Sequence, residues 1–307
     1  MTLVLEANGL TKKYGRVTAV DRLSFGVEEG SFSALVGGNG SGKSTTLKMC
    51  SNLVIPTQGS VSVCGHDICD DRNESMRSIG CIIETPEFYS DQTPDRMLRY
   101  LGRLDGMGAE TASAEASRVL ELVGASEYAD RRFGKFSKGM KQRLVIASAL
   151  LGDPSLLLLD EPTSGLDPRG AYDVRAILRR LNDEGMTILM STHLLNDIDG
   201  LCDSMVIIDR GRMIRQGKLS DLDLRPVLRV STTSPVDPAL LGSVRGLEGV
   251  MDARTWRNGL EITFEGNDKD RARLLREILG LGIDAYGMEE GNVFEKAFFE
   301  NTEAEGC

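Results

Sequence analysis

The chain has 307 residues, 41% hydrophobic and 27% charged, enough apolar content for sizeable cores in about two domains. Its net charge of −10 argues against a nucleic-acid groove, which needs a basic face to release counterions. No apolar run approaches the ~20 residues that cross a bilayer, residues 1–6 lack a signal peptide's basic and apolar regions, and the six scattered cysteines form neither C-x-x-C pairs nor metal-ligand spacings with His66 and His193, so reduced thiols are expected.

Weak alternation over residues 3–11 predicts a strand, Lys13-Tyr14-Gly15-Arg16 a turn, and residues 17–20 and 23–27 two further strands. Together they suggest a small antiparallel sheet. The aromatic face of Tyr14 is a candidate platform for a purine. Residues 33–36 then form a short apolar strand, followed by Gly37-Gly38-Asn39-Gly40-Ser41-Gly42-Lys43-Ser44-Thr45. This segment satisfies G-x-x-x-x-G-K-[ST] at every specified position, with strand, glycine-rich loop and helix in the required order. The chemistry explains the residue types. Glycines let backbone N–H groups approach a triphosphate, and the helix beginning near Gly42 adds its own N–H groups and dipole. Lys43 supplies a charge for the outer phosphates, and Ser44 offers a hydroxyl to Mg²⁺. The expected ligand is ATP, with GTP as the alternative.

Residues 55–60 read as a turn and 60–64 as a strand, with His66 in a polar loop. The apolar strand 79–84 ends in Glu84, a carboxylate well placed for Mg²⁺ or water at a strand end. Residues 93–103 and 112–123 show helical spacing through Met97, Leu98, Leu101 and Val119, Leu120, Val123. A small, glycine-containing cap, Ser137-Lys138-Gly139, leads towards a helix over 144–151 and is a second potential anion site. Ser155-Leu156-Leu157-Leu158-Leu159-Asp160-Glu161 reads as a strand buried on both faces and ending in two acids. Asp160 can hold Mg²⁺ through a water, and Glu161 can polarise an attacking water. Pro168 starts a helix to about Leu181. Residues 186–190 form the next buried strand, ending in Ser191-Thr192-His193, and 205–209 and 213–216 finish the sheet. Strands alternating with helices, with ligands gathered at strand ends, imply an α/β nucleotide-binding core.

The expected domains are 1–218 for that core, 219–226 as a linker and 227–307 as a small accessory domain. The last reads as strand 227–232, helix 238–244, strand 250–256, strand 260–264, helix 269–279, strand 283–288 and a final helix 293–301. Arg257-Asn258-Gly259 reads as a turn, with Asn258-Gly259 the hairpin signal, and the order matches a split βαβ sandwich. No catalytic cluster stands out there.

As a set, these motifs resemble the ATP-binding subunit of an ATP-binding-cassette (ABC) transporter over about residues 3–217. The resemblance implies a P-loop ABC-type ATPase core with antiparallel β and helical subdomains, beside a ferredoxin-like α+β tail. It implies that Tyr14 stacks adenine and that Gly37 to Thr45 form Walker A. Residues 137–143 resemble the signature motif, although Lys138 and Met140 depart from the common Ser-Gly-Gly-Gln form. Leu156 to Asp160 match Walker B, Glu161 the catalytic carboxylate, Ser164-Gly165-Leu166-Asp167 the dimer-contact loop and His193 the switch histidine. Glu84 stands where most members carry Gln, which resembles the bacitracin- and lantibiotic-resistance branch.

In that mechanism, two copies face head to tail. ATP and Mg²⁺ lie between Lys43 and Ser44 of one copy and Ser137 and Gly139 of the other, with Asp160 and Glu84 near the metal. The implied partners are a transmembrane permease and a second cassette, identical or paired, at the cytoplasmic face of the membrane. The implied cargo is a peptide antibiotic or drug, with ions and lipids as alternatives. A soluble ABC protein of translation or DNA repair fits less well. The chain has one Walker A, no heptad insertion and an acidic balance.

Overall fold

The computed structural model describes residues 2–84, 88–194, 197–198, 200–221 and 227–291. The chain forms two compact units, Met1–Ser220 and Asp221–Cys307.

The first unit contains two sheets. Strands β1 (Leu3–Tyr14), β2 (Val17–Glu28), β4 (Gln58–Val63) and β5 (His66–Asp67) make an antiparallel sheet of order β2-β1-β4-β5. The two strands expected over 17–20 and 23–27 are one strand, β2. It stays continuous because register shifts against β1 absorb Arg22, whose φ is 50°. Alternating side chains of β1 and β2, including Leu5, Leu10, Val20, Leu23 and Val27, are fully buried.

The second sheet has the order β10-β9-β3-β8-β7-β6, from β3 (Phe32–Val36), β6 (Ile79–Ile82), β7 (Leu156–Asp160), β8 (Thr187–Thr192), β9 (Ser204–Asp209) and β10 (Arg212–Lys218). All neighbours are parallel except the β9–β10 hairpin. Strands covered on both faces need unbroken apolar runs, and Leu156 to Leu159 all have zero exposure. Each such leucine contributes about 1.5–3 kcal/mol by leaving water. Strand β6 ends at Ile82, two residues short of the expected Glu84.

Helix α1 (Lys43–Cys50) leaves the end of β3 and buries Leu47, Met49 and Cys50 among β1, β2 and β7. The short α2 (Arg72–Arg77) precedes β6. Helices α3 (Pro94–Leu104), α4 (Ala109–Leu122) and α5 (Lys138–Ala149) pack on one another as a helical layer. In α4, Ala112, Ala116, Val119 and Leu120 recur at helical spacing and are buried. Helix α5 begins six residues before the expected position 144. Ser137 caps it, accepting the Met140 N–H at 3.3 Å. Helix α6 (Pro168–Asp183) starts with Pro168 after the Asp167 cap, whose carboxylate accepts from the Gly170 N–H.

The second unit is one antiparallel sheet of order β12-β13-β11-β14: β11 (Val227–Thr232), β12 (Val250–Trp256), β13 (Gly259–Phe264) and β14 (Ala285–Gly291). Helices α7 (Pro238–Arg245) and α8 (Asp268–Gly280) complete it, and Leu228, Val230, Leu260, Ile262, Phe264, Leu274 and Ile278 form its core. Asn267 caps α8 reciprocally with Asp270. The hairpin falls within the expected turn at 257–259. Gly259 pairs with Trp256, so the two-residue turn is Arg257-Asn258, with Arg257 taking the positive φ. The expected helix 293–301 lies outside the described residues.

Candidate functional site

Strand register alone gathers the polar residues. Val36, the last residue of β3, pairs with Thr192 of β8, and Ser191 pairs with Asp160 of β7. Three loops therefore leave the same edge of the sheet: Gly37 onwards, Glu161 onwards and His193 onwards. In a parallel sheet this carboxyl edge is where ligands bind.

The glycine-rich loop curls over the start of α1. Gly38, Asn39 and Gly40 are exposed, and a Cβ at Gly38 or Gly40 would meet nothing within 4 Å. Lys43 is only 6% exposed, and its ammonium spans the loop. Its Nζ donates to the Gly37 carbonyl at 2.9 Å and the Gly38 carbonyl at 3.2 Å. Ser41 Oγ is buried without a hydrogen-bond partner, an arrangement that leaves polar capacity inside the loop. Ser44 is exposed at the first turn of α1, and Thr45 is half-buried beside it.

Glu161 brings His193 and Lys43 together, and Asp160 is held at the same strand end through Ser191. Ser191 Oγ donates to Asp160 Oδ1 at 2.5 Å and accepts the Glu161 N–H at 3.0 Å. Glu161 has φ 45°, a left-handed conformation that costs about 1–3 kcal/mol in a non-glycine residue. The turn aims its carboxylate across the sheet edge. Glu161 Oε1 lies 3.0 Å from His193 Nδ1 and 3.7 Å from Lys43 Nζ. Chain segments about 150 residues apart thus meet around one carboxylate oxygen.

Glu84 lies just beyond β6 with φ 69°, and its carboxylate is 2.5 Å from Lys48 Nζ. Lys48 is one turn after Ser44 on α1. The bond from Lys48 holds the Glu84 carboxyl below the usual range. The same bond, aided by the more distant charge of Asp160, raises the Lys48 ammonium above its ordinary value. Tyr14, at the end of β1, is 49% exposed, with Lys12 Nζ 5.2 Å from its ring centroid.

Mg²⁺ fits the donors present. It binds through one or two carboxylates plus phosphate oxygens and keeps several waters. Asp160 and the exposed Ser44 hydroxyl are such hard oxygen donors. Among the described residues no cluster of three His, Cys, Asp or Glu side chains forms a closed metal cage.

Ser137 and Gly139 open onto a different cleft of about 480 Å³, lined also by Tyr128, Arg143, Asp167 and Asp173 and by no residue of 37–45. Arg143 closes it through a 2.6 Å bond to Asp173. Sequence reasoning missed two members of the site, Ser191 and Lys48. Their signals were present: a serine inside an apolar strand, and a lysine four residues after Ser44 on the same helix face.

The ABC transporter family model matches residues 20–164. The chain is 35% identical to a linearmycin resistance ATP-binding protein of Bacillus subtilis, over 93% of this chain and 94% of that protein. It is 39% identical to a bacitracin transport ATP-binding protein of Bacillus licheniformis, over 70% of each. A dimeric ATP-binding cassette solved with ADP and phosphate is similar in structure at a TM-score of 0.62 and 26% identity. That match covers 70% of this chain and 98% of the cassette.

Proposed function

The chain belongs to the ABC transporter ATP-binding family and is an ATPase subunit of that class, and from this premise we propose that it works as a nucleotide-driven dimer powering a separate membrane permease. No described helix is long and apolar enough to cross a membrane. The reading places the subunit at the cytoplasmic face, acting on the membrane through a partner. One observation carries the dimer. The cap at Ser137 and Gly139 lies in a cleft that excludes the phosphate loop of its own chain. A second cassette, identical or paired, is the natural donor of that cap to the γ-phosphate.

In this reading Lys43 exchanges its contacts to the Gly37 and Gly38 carbonyls for phosphate oxygens. The loop N–H groups and the start of α1 hold the remaining phosphate charge, and Tyr14 offers its ring to the adenine. Ser44 and Asp160 would hold Mg²⁺, which supplies neutralising charge on the phosphates. Glu84, once released from Lys48, is the further oxygen donor near that position. Glu161 accepts a hydrogen bond from the attacking water and orients it in line with the γ-phosphate. His193, at 3.0 Å, steadies the Glu161 carboxylate. Loss of the γ-phosphate removes the bridge between the two copies, and the dimer opens.

The resistance and transport relatives support a peptide antibiotic or related drug as cargo. A strain deleted for this gene and challenged with bacitracin and linearmycin tests that part. Unaltered susceptibility to both, with the permease present, counts against it. The decisive experiment for the dimer is Glu161→Gln in saturating Mg-ATP. The variant keeps nucleotide binding, loses turnover and sediments as a dimer. A monomer under those conditions, with or without the permease, refutes the proposal.

A further inference from the structure

Asp197 is 5% exposed, an unusual place for a carboxylate, and it touches neither Lys43 nor any phosphate-loop group among its described contacts. Its Oδ2 accepts from Thr163 Oγ1 at 2.7 Å and from Thr192 Oγ1 at 3.1 Å. Its Oδ1 lies 3.5 Å from Arg175 Nη1 of α6. The two threonines matter because of their neighbours. Thr163 is two residues after Glu161, and Thr192 immediately precedes His193. Thr192 Oγ1 also accepts the Leu194 N–H at 3.0 Å, which fixes the turn beyond His193. Both threonines are buried, 6% and 1% exposed, and the carboxylate is the protein acceptor they share.

We propose that Asp197 is the positioning residue that sets the Glu161–His193 pair, clamping the two loops that carry them onto one buried carboxylate. The inference rests on the reading of Glu161 and His193 as the groups that align the attacking water. The 3.0 Å contact between them joins side chains from different loops, and among the described residues the other contacts from Glu161 to β8 are those to the Ser191 backbone and hydroxyl. Without an acceptor at 197, the two buried hydroxyls lose the partner they share and the loops can shift against one another. A displacement of about 1 Å at a reacting group costs on the order of 10²-fold in rate.

The test uses the full-length chain with Mg-ATP. Asp197→Ala is expected to lower kcat by about 10- to 100-fold while KM and fluorescent-ATP affinity stay within about twofold, because the phosphate loop is untouched. Thr163→Val and Thr192→Val reproduce part of that loss. Thr163→Ser and Thr192→Ser, which keep the hydroxyl, restore it. These four variants also serve if Asp197→Ala does not fold. A double-mutant cycle with His193→Ala separates positioning from mere stability. If Asp197 acts through the pair, its removal adds little to the loss already caused by His193→Ala. Additive losses overturn the proposal, as does a loss of nucleotide affinity matching the loss of kcat. Full turnover by His193→Ala alone sinks the pair itself, an outcome distinct from a failure of Asp197 to matter.

Discussion

Two glycines of the phosphate loop are expected to separate folding from binding. Gly42 has φ 105°, and a Cβ there would sit 2.7 Å from the Ala19 carbonyl oxygen and 3.3 Å from Val20 Cγ2. Gly42→Ala therefore carries backbone strain of about 1–3 kcal/mol and overpacking of about 1–3 kcal/mol. A stiffer unfolded chain offsets about 0.4–1 kcal/mol of that. The central net loss is about 3 kcal/mol, which at an m-value of about 2–3 kcal/mol per M lowers the urea midpoint by about 1–1.5 M. Gly38 has open space where its Cβ would point. Gly38→Ala should leave the midpoint within about 0.5 M but weaken ATP binding about tenfold or more, about 1.4 kcal/mol, because the methyl group takes space reserved for phosphate oxygens. Unfolding is followed by far-UV circular dichroism, since the lone Trp256 lies in the second unit and reports on that unit. An unshifted midpoint for Gly42→Ala, or equal destabilisation by both substitutions, refutes the reasoning.

Further expectations concern the ion pairs. The Glu84 carboxyl titrates below its ordinary 4.5 because Lys48 bonds to its charged form. A depressed folded-state value means the stabilisation is complete well above 4.5 and disappears as pH falls through the lowered value. The melting-temperature gap between wild type and Glu84→Gln should therefore close on acidification, and a pH-independent gap would remove the Lys48 contact from the account. In the second unit, Glu261 is buried and accepts from Arg229 Nε at 3.1 Å and Arg254 Nε at 2.9 Å. Glu261→Ala removes the carboxylate from between those guanidiniums and should cost that unit about 1–3 kcal/mol. Trp256 fluorescence reads the change directly, because the Arg229 guanidinium lies 4.4 Å from its ring centroid. An unaltered Trp256 transition would show that the buried pair contributes nothing net.

The buried strand β7 was readable because a strand covered on both faces must be apolar throughout, and Leu156 to Leu159 are. The glycine-rich loop between β3 and α1 was readable because its glycines, lysine and serine are contiguous. The helices α3, α4 and α6 announced themselves through periodicity and capping. Strand β2 was misread as two because the polar pair Asp21-Arg22 looks like a turn, whereas a bulge keeps the ladder running.

Local chemistry in the sequence was enough to determine the glycine-rich loop between strand and helix, the acids at a strand end and the alternation of strands with helices. What only tertiary structure decided is which distant groups share an atom. Glu161 meets His193 and Lys43, Ser191 holds both Asp160 and Glu161, Lys48 takes Glu84, and Asp197 binds Thr163 and Thr192. The reason is physical. Composition and periodicity follow from each element's own burial, but these contacts depend on the register of β3, β8 and β7. Register is set by the packing of whole strands, which no short stretch of sequence encodes.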